Sequence, residues 1–290
     1  MCDQDHFEED LKKYLRAGRV TRRDFGNLTA GVGLVMMLPR AANAQAVTET
    51  DVEIRTPDGV CDAYFVHPSS GAHAAVLVWP DILGLRPAFR QMGKRLAESG
   101  YSVLVVNPFY RQKRAPVVPE GATFDETTRN IVFPLAQALN ATTHVADAKA
   151  FIAWLDAQTS VDKNRKIGTT GYCMGGPITM RTAASVADRV GAAASFHGGG
   201  LVTQNPDSPH LLVPQMKAQY LFAVAENDDQ REPEAKNVLR DTFAKAGLAA
   251  EIEVYAAAHG WCPPDSAVYD EAQAERAWSR MLVLFERALA

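Results

Sequence analysis

The sequence predicts an α/β fold, a mainly parallel central sheet with helices on both faces. Three observations predict it. Short apolar runs of strand length alternate with amphipathic stretches of helix length from about residue 51 to the end. Several of those runs are apolar throughout, the pattern of strands buried on both faces. The length, 290 residues, suits one large domain better than two and permits a substantial core.

Residues 52–55 and 61–66 read as paired strands around the turn Pro57-Asp58-Gly59. Residues 74–79 form a continuous apolar run suited to a buried central strand. Residues 87–99 are an amphipathic helix that stops at Gly100. Residues 103–106 are another buried strand. Residues 107–133, rich in Pro, Arg and Gly, are the least regular stretch. Residues 141–157 form a second helix with Val145, Ala148, Ile152 and Leu155 on one face. A strand over 166–170, a helix over 177–187 and a strand over 190–196 follow, then the loop Gly198-Gly199-Gly200. Strands at 220–224 and 251–255, a helix over 233–246 and a final helix near 269–288 complete the set. There is no internal repeat and no low-complexity tract.

The N-terminus reads as a targeting segment. Thr21-Arg22-Arg23-Asp24-Phe25 is a twin-arginine pattern, followed by an apolar stretch over 28–38 and the A-x-A triplet Ala42-Asn43-Ala44. The expected division is a signal over 1–44 and a single domain over 45–290. The expected partner of Arg22 and Arg23 is the twin-arginine export machinery, which moves proteins already folded. The destination is then the periplasm or the exterior. The apolar stretch is too short and too broken by glycine for a stable membrane span. The competing reading is an amphipathic surface helix. The polar residues before Thr21, several of them acidic, are unusual for an export signal.

A formal charge of −4 gives no reason to expect a nucleic-acid partner. The seven histidines lack metal-ligand spacing, and the four cysteines contain no C-x-x-C, so no metal is expected. Cys2 would leave with the signal. A Cys61–Cys262 disulfide is open in an oxidising compartment, and a Cys173–Cys262 disulfide would block the residue singled out next.

Gly171-Tyr172-Cys173-Met174-Gly175-Gly176 lies between a predicted strand and a predicted helix. The spacing is that of the nucleophile elbow G-x-S-x-G, with cysteine in the serine position. Side chains at 171 or 175 would collide where the strand and helix backbones approach. The turn lifts the sulfur to the start of a helix, whose dipole favours a thiolate. Asp228 and Asp229 follow one later strand and His259 follows another, both where an open parallel sheet places its site. Nucleophile, acid, base is the chain order of the α/β-hydrolase fold. The blander readings are a small core cysteine and a solvated acidic turn.

These residues resemble the dienelactone hydrolase family. The likeness is carried by residues 171–176, by Asn227-Asp228-Asp229 and His259-Gly260-Trp261, and by residues 79–86 and 105–111; it runs from about residue 51 to the C-terminus. The resemblance implies a hydrolase of a small ester or lactone acting through a thioester acyl-enzyme, with no cofactor. Cys173 is the nucleophile, His259 the base and Asp228, rather than Asp229, the acid that orients it. The best-named activity is that of carboxymethylenebutenolidase, which opens an unsaturated lactone. The family carries a carboxylate, typically Glu, that approaches the resting cysteine; the matching residue is Asp81, one methylene shorter. Backbone N–H groups of Ile82 and Met174 are the expected oxyanion donors. Arg86, Tyr110, Arg129, His197 and Trp261 are candidate substrate contacts, and Arg111 is a further cation near the site. The family's arginine a few residues after the histidine is missing from Gly260-Trp261-Cys262-Pro263-Pro264. A carboxylesterase or thioesterase of other specificity is therefore the alternative within enzymes, and a noncatalytic exported binding protein the alternative outside them.

Overall fold

The computed structural model describes Leu38, Pro39 and residues 44–290. The twin-arginine pair and nearly all of the expected signal lie outside the described residues. Eight strands form one sheet: β1 (Val47–Thr56), β2 (Gly59–Pro68), β3 (Ala75–Trp79), β4 (Ser102–Val106), β5 (Ile167–Tyr172), β6 (Val190–Phe196), β7 (Gln219–Ala225) and β8 (Ala250–Tyr255). Their spatial order is β1-β2-β4-β3-β5-β6-β7-β8. β1 pairs antiparallel with β2, and β2 antiparallel with β4; the other pairs are parallel. β3, β4 and β5 are buried at every residue; β3 is apolar throughout, β4 is apolar after Ser102, and β5 carries the buried Thr169 and Thr170.

Seven α-helices are described: α1 (Pro87–Glu98), α2 (Glu126–Gln137), α3 (Ala141–Asp156), α4 (Gly175–Ser185), α5 (Glu226–Arg231), α6 (Ala235–Lys245) and α7 (Glu271–Ala288). A 3-10 turn runs over Pro209–Gln215. One face of the sheet packs on Phe89, Met92 and Leu96 of α1 and Trp278, Met281 and Phe285 of α7. The other packs on Phe151, Ile152 and Leu155 of α3, Ile178 of α4 and Phe243 of α6. Each fully buried aliphatic or aromatic side chain contributes roughly 1.5–3 kcal/mol of transfer free energy. The sheet is therefore sandwiched, and the site falls at the carboxyl edge of its parallel strands. Five neighbouring strands deliver the expected site residues there: β3 leads to Asp81, β5 to Cys173, β6 to His197, β7 to Asp228 and β8 to His259.

The structure departs from the sequence-based expectation in three places. The stretch expected to be least regular contains most of α2, capped by the Asp125 carboxylate, which accepts from the Thr128 N–H. The acidic turn after β7 is a short helix, α5, with Asp228 in its first turn. The helix after the elbow begins at Gly175, two residues before Pro177, because the elbow turns directly into it.

Candidate active site

The turn from β5 into α4 holds Cys173 at φ 54°, a left-handed conformation costly for a residue with a Cβ. The flanking glycines show why the turn is possible. A Cβ on Gly171 would lie 2.1 Å from the Gly175 carbonyl oxygen, and one on Gly175 would lie 2.4 Å from the Trp79 carbonyl oxygen. Nothing larger than hydrogen fits at either position. The Cys173 N–H donates to the Phe196 carbonyl at 3.0 Å and to Nδ1 of His197 at 3.1 Å. The Gly176 N–H closes the turn on the Cys173 carbonyl at 3.0 Å. The nucleophile candidate is thus fixed by its backbone at the N-terminus of an 11-residue helix.

His259 stands beyond the end of β8. Its Nδ1 lies 2.7 Å from Oδ2 of Asp228, and Asp229 turns away to Lys236. That contact puts the ring proton on Nδ1 and the basic lone pair on Nε2, which is buried. The loop is held by a residue that sequence reasoning did not assign a role: Oδ1 of Asn227 accepts the His259 N–H at 2.8 Å. The Glu226 N–H reaches the Ala257 carbonyl at 3.0 Å, tying the ends of β7 and β8 together. The Asn-Asp dipeptide is the visible signal, since its two side chains address the backbone and the ring of one histidine.

His197 connects the nucleophile to the base. Its Nδ1 takes the Cys173 N–H, and its ring meets His259 edge-to-face with centroids 4.9 Å apart. It also packs edge-to-face on Trp261 at 5.1 Å. His197 is 1% exposed and Trp261 0%. Both were expected as substrate contacts. Their burial places them beneath the site instead, with Trp261 stacked on Tyr255 in the core.

Asp81 and Arg86 also differ from expectation. Both Asp81 carboxylate oxygens accept from Arg86, at 2.6 and 3.0 Å, and Oδ1 also accepts the Leu83 N–H. The other side of the guanidinium is taken by Asp265, at 2.6 and 2.9 Å. With a further contact to the Gly84 carbonyl, all five Arg86 N–H donors are engaged, so none is left for a substrate carboxylate. A gating contact from Asp81 to the sulfur would require it to leave a buried bidentate pair. Arg111 is similarly occupied by Asp58 and Asp147. The Tyr110 hydroxyl contacts Thr56 and Asp147, each at 2.7 Å. Arg129 lies on α2 and is buried.

Ile82 and Met174, the expected oxyanion donors, meet in one apolar cluster. It is formed by Ile82, Phe109, Val117, Val118, Val132 and Leu135, with Met174 packed against it. The segment that sequence reading found irregular is therefore an apolar wall beside the nucleophile.

All three described cysteines are free thiols. Cys61 and Cys262 belong to the cores on opposite faces of the sheet, so they do not pair. Burial pushes both thiols up from the usual range, which keeps them protonated and inert. Among the described residues there is no grouping of side chains suited to a metal ion, and no helix is long and apolar enough to cross a membrane.

Three comparisons bear on this geometry. The model of the dienelactone hydrolase family matches residues 61–289. A carboxymethylenebutenolidase of Rhodococcus opacus is 26% identical over 247 residues, covering 81% of this chain and 90% of that protein. Among solved structures, a dienelactone hydrolase-like promiscuous phosphotriesterase from metagenomic libraries superposes with a TM-score of 0.69 at 21% identity, over 84% of this chain and all of that one. The dienelactone hydrolase of Anabaena variabilis gives 0.61 at 17%, over 84% of this chain and 99% of that one.

Proposed function

The chain belongs to the dienelactone hydrolase family, and from that premise we propose that it hydrolyses a small ester or lactone through Cys173, His259 and Asp228. The observation that carries the reading is the 2.7 Å contact between His259 and Asp228, with the His259 ring packed on His197, whose Nδ1 accepts the N–H of a cysteine held at φ 54°. Nε2 of His259 takes the thiol proton, and the sulfur attacks the carbonyl carbon. The tetrahedral oxyanion is met by the N–H groups of Ile82 and Met174. The intermediate collapses, the C–O bond breaks, and the leaving oxygen takes the proton from His259. A thioester on Cys173 remains. Water, deprotonated by His259, attacks it, and the acid leaves as the thiol re-forms. Asp228 stabilises the imidazolium that exists during both steps.

A lactone with a carboxylate, the substrate type of carboxymethylenebutenolidase, needs a cation. The engagement of every Arg86 donor and the lack of an arginine in Gly260-Trp261-Cys262-Pro263-Pro264 favour a second reading within the same chemistry. This is a carboxylesterase or thioesterase whose apolar acyl group lies against the Ile82–Leu135 cluster. The experiment is a panel of a dienelactone, p-nitrophenyl acetate and a short acyl thioester, run on the chain and on Cys173→Ala. Dienelactone turnover lost in the variant supports the lactone. Turnover of simple esters alone keeps the triad and assigns the second reading. Turnover unaffected by the substitution removes the nucleophile, and no turnover at all moves the weight to a binding role.

Export belongs to the same proposal: residues 1–44 direct a folded enzyme through the twin-arginine route, with Arg22 and Arg23 as its signal. Fractionation of cells expressing the chain and Arg22→Lys/Arg23→Lys is the test. Equal distribution of the two between cytoplasm and periplasm would contradict it.

A further inference from the structure

The role of His197 is not explained by packing. A histidine with a buried, unpartnered ring nitrogen is a poor core residue, because an orphaned donor costs about 1–3 kcal/mol that a phenylalanine or leucine would avoid. His197 is in that position. Its Nδ1 shares the Cys173 N–H with the Phe196 carbonyl, at 3.1 and 3.0 Å, so the proton sits on Nε2, and Nε2 is buried without a hydrogen-bond partner among the described residues. Burial, together with the charge His259 carries when protonated, holds the ring neutral by keeping its pKa well below the usual histidine range. The backbone is costly too. His197 adopts φ 39° although three glycines follow it, any of which would take that conformation without strain. Behind it the two corners interlock: a Cβ on Gly198 would come 3.1 Å from the Gly176 Cα, and one on Gly176 2.7 Å from the Gly198 Cα.

What histidine supplies here and an apolar residue lacks is the acceptor at Nδ1. We propose that His197 is a positioning residue, which accepts the backbone N–H of Cys173 to hold the nucleophile in its left-handed turn and braces the ring of His259 from beneath. One residue thereby sets the relation between nucleophile and base. The hydrogen bond and the edge-to-face contact act on the same ring, so displacing the ring moves both partners. The inference rests on the reading of Cys173 as the reacting residue. It adds a constraint from a second histidine that the triad alone does not contain.

Two variants of the full chain separate acceptor from bulk. His197→Asn keeps an oxygen near the position of Nδ1 and tolerates φ above zero. His197→Gly tolerates the same φ but has no acceptor. The readouts are steady-state p-nitrophenyl acetate hydrolysis and the rate of iodoacetamide alkylation of Cys173, followed on its own peptide by mass spectrometry. Thermal melts identify any variant that fails to fold. The expected result is a fall of roughly tenfold to a hundredfold in kcat and in alkylation rate for His197→Gly, with KM little changed, since small misplacements at a reacting centre have effects of that size. His197→Asn should recover both rates to within about threefold. Equal impairment of the two variants, or a His197→Gly variant that behaves like the parent, overturns the proposal. Alkylation is read without any turnover, so a Cys173→Ala variant that still hydrolyses ester defeats the triad reading and is told apart from a failure of His197.

Discussion

Two carboxylates stand at the carboxyl edge of the same sheet, Asp228 beyond β7 and Asp81 beyond β3, and their partners differ in kind. Asp228 hydrogen-bonds His259 at 2.7 Å, a group able to take and return a proton during a reaction, while Arg231 stands off its other oxygen at 3.5 Å. Asp81 meets Arg86, a group that keeps its charge, and Asp265 closes the pair from the other side. The first arrangement stabilises a charge that comes and goes. The second cannot follow a reaction; it ties the loop carrying Ile82 to the loop that follows His259. Position at a strand end therefore does not make a carboxylate part of the chemistry; the partner's ability to change charge does.

The largest effect expected from this contrast is on Asp228. Asp228→Asn should lower kcat by about 10³–10⁴-fold in ester hydrolysis, because the amide favours the wrong His259 tautomer, while the melting temperature hardly moves. Asp81→Asn should do the reverse. It leaves a buried guanidinium half-compensated, so urea unfolding should show a loss of roughly 3 kcal/mol, with kcat of the folded protein within about tenfold of the parent. If Asp81→Asn instead changes the thiol alkylation rate and spares stability, Asp81 gates the sulfur and the contrast fails.

Acid pH sharpens the comparison from outside both pairs. His144 on α3 is half-buried with both ring nitrogens shielded from water, its pKa pulled down to about 3 by desolvation and then by Arg181 and Arg111. The unfolded chain binds this proton below about pH 6.5 and the folded chain does not. Stability is thus intact above pH 6.5 and is lost as pH falls from there towards 3. The slope approaches roughly 1.4 kcal/mol per pH unit, or about 2 kcal/mol by pH 5. Equilibrium unfolding of His144→Asn against pH should show a shallower slope, with the neutral-pH esterase rate unchanged. The smallest effect belongs to the outer half of the clamp. Asp265 is partly exposed, so Asp265→Asn should reduce stability by only about 1 kcal/mol on the same unfolding assay. A larger loss there than at Asp81 would invert the assignment of inner and outer partners.

The parts of this architecture that are local in the chain were legible before any coordinates. β3 and most of β4 read as apolar runs because both their faces are covered. The elbow was legible because a strained turn needs small residues at fixed spacing, and Gly171 and Gly175 meet backbone atoms directly. The parts that depend on distant pairing were not. Arg86 and Asp265 are 179 residues apart, and no periodicity links them. The contact of His197 with Cys173 exists because β6 pairs beside β5, which strand order decides and composition does not. α2 was obscured by Pro134 within it and by the proline-rich stretch before it. Its signal was present in the Asp125 cap and in the spacing of Ile131, Val132 and Leu135. Trp261 was misplaced for a similar reason: following the histidine in sequence does not fix which way a side chain turns, and here it turns into the core.

The central claim is a thioester on Cys173, and one measurement addresses it directly. The chain is mixed with excess p-nitrophenyl acetate, quenched in acid within a turnover, digested, and its peptides weighed. The account predicts an acetyl group on the peptide containing Cys173, absent from Cys173→Ala. An acetyl group on another residue, or rapid turnover with Cys173 unmodified and replaceable by alanine, would contradict it.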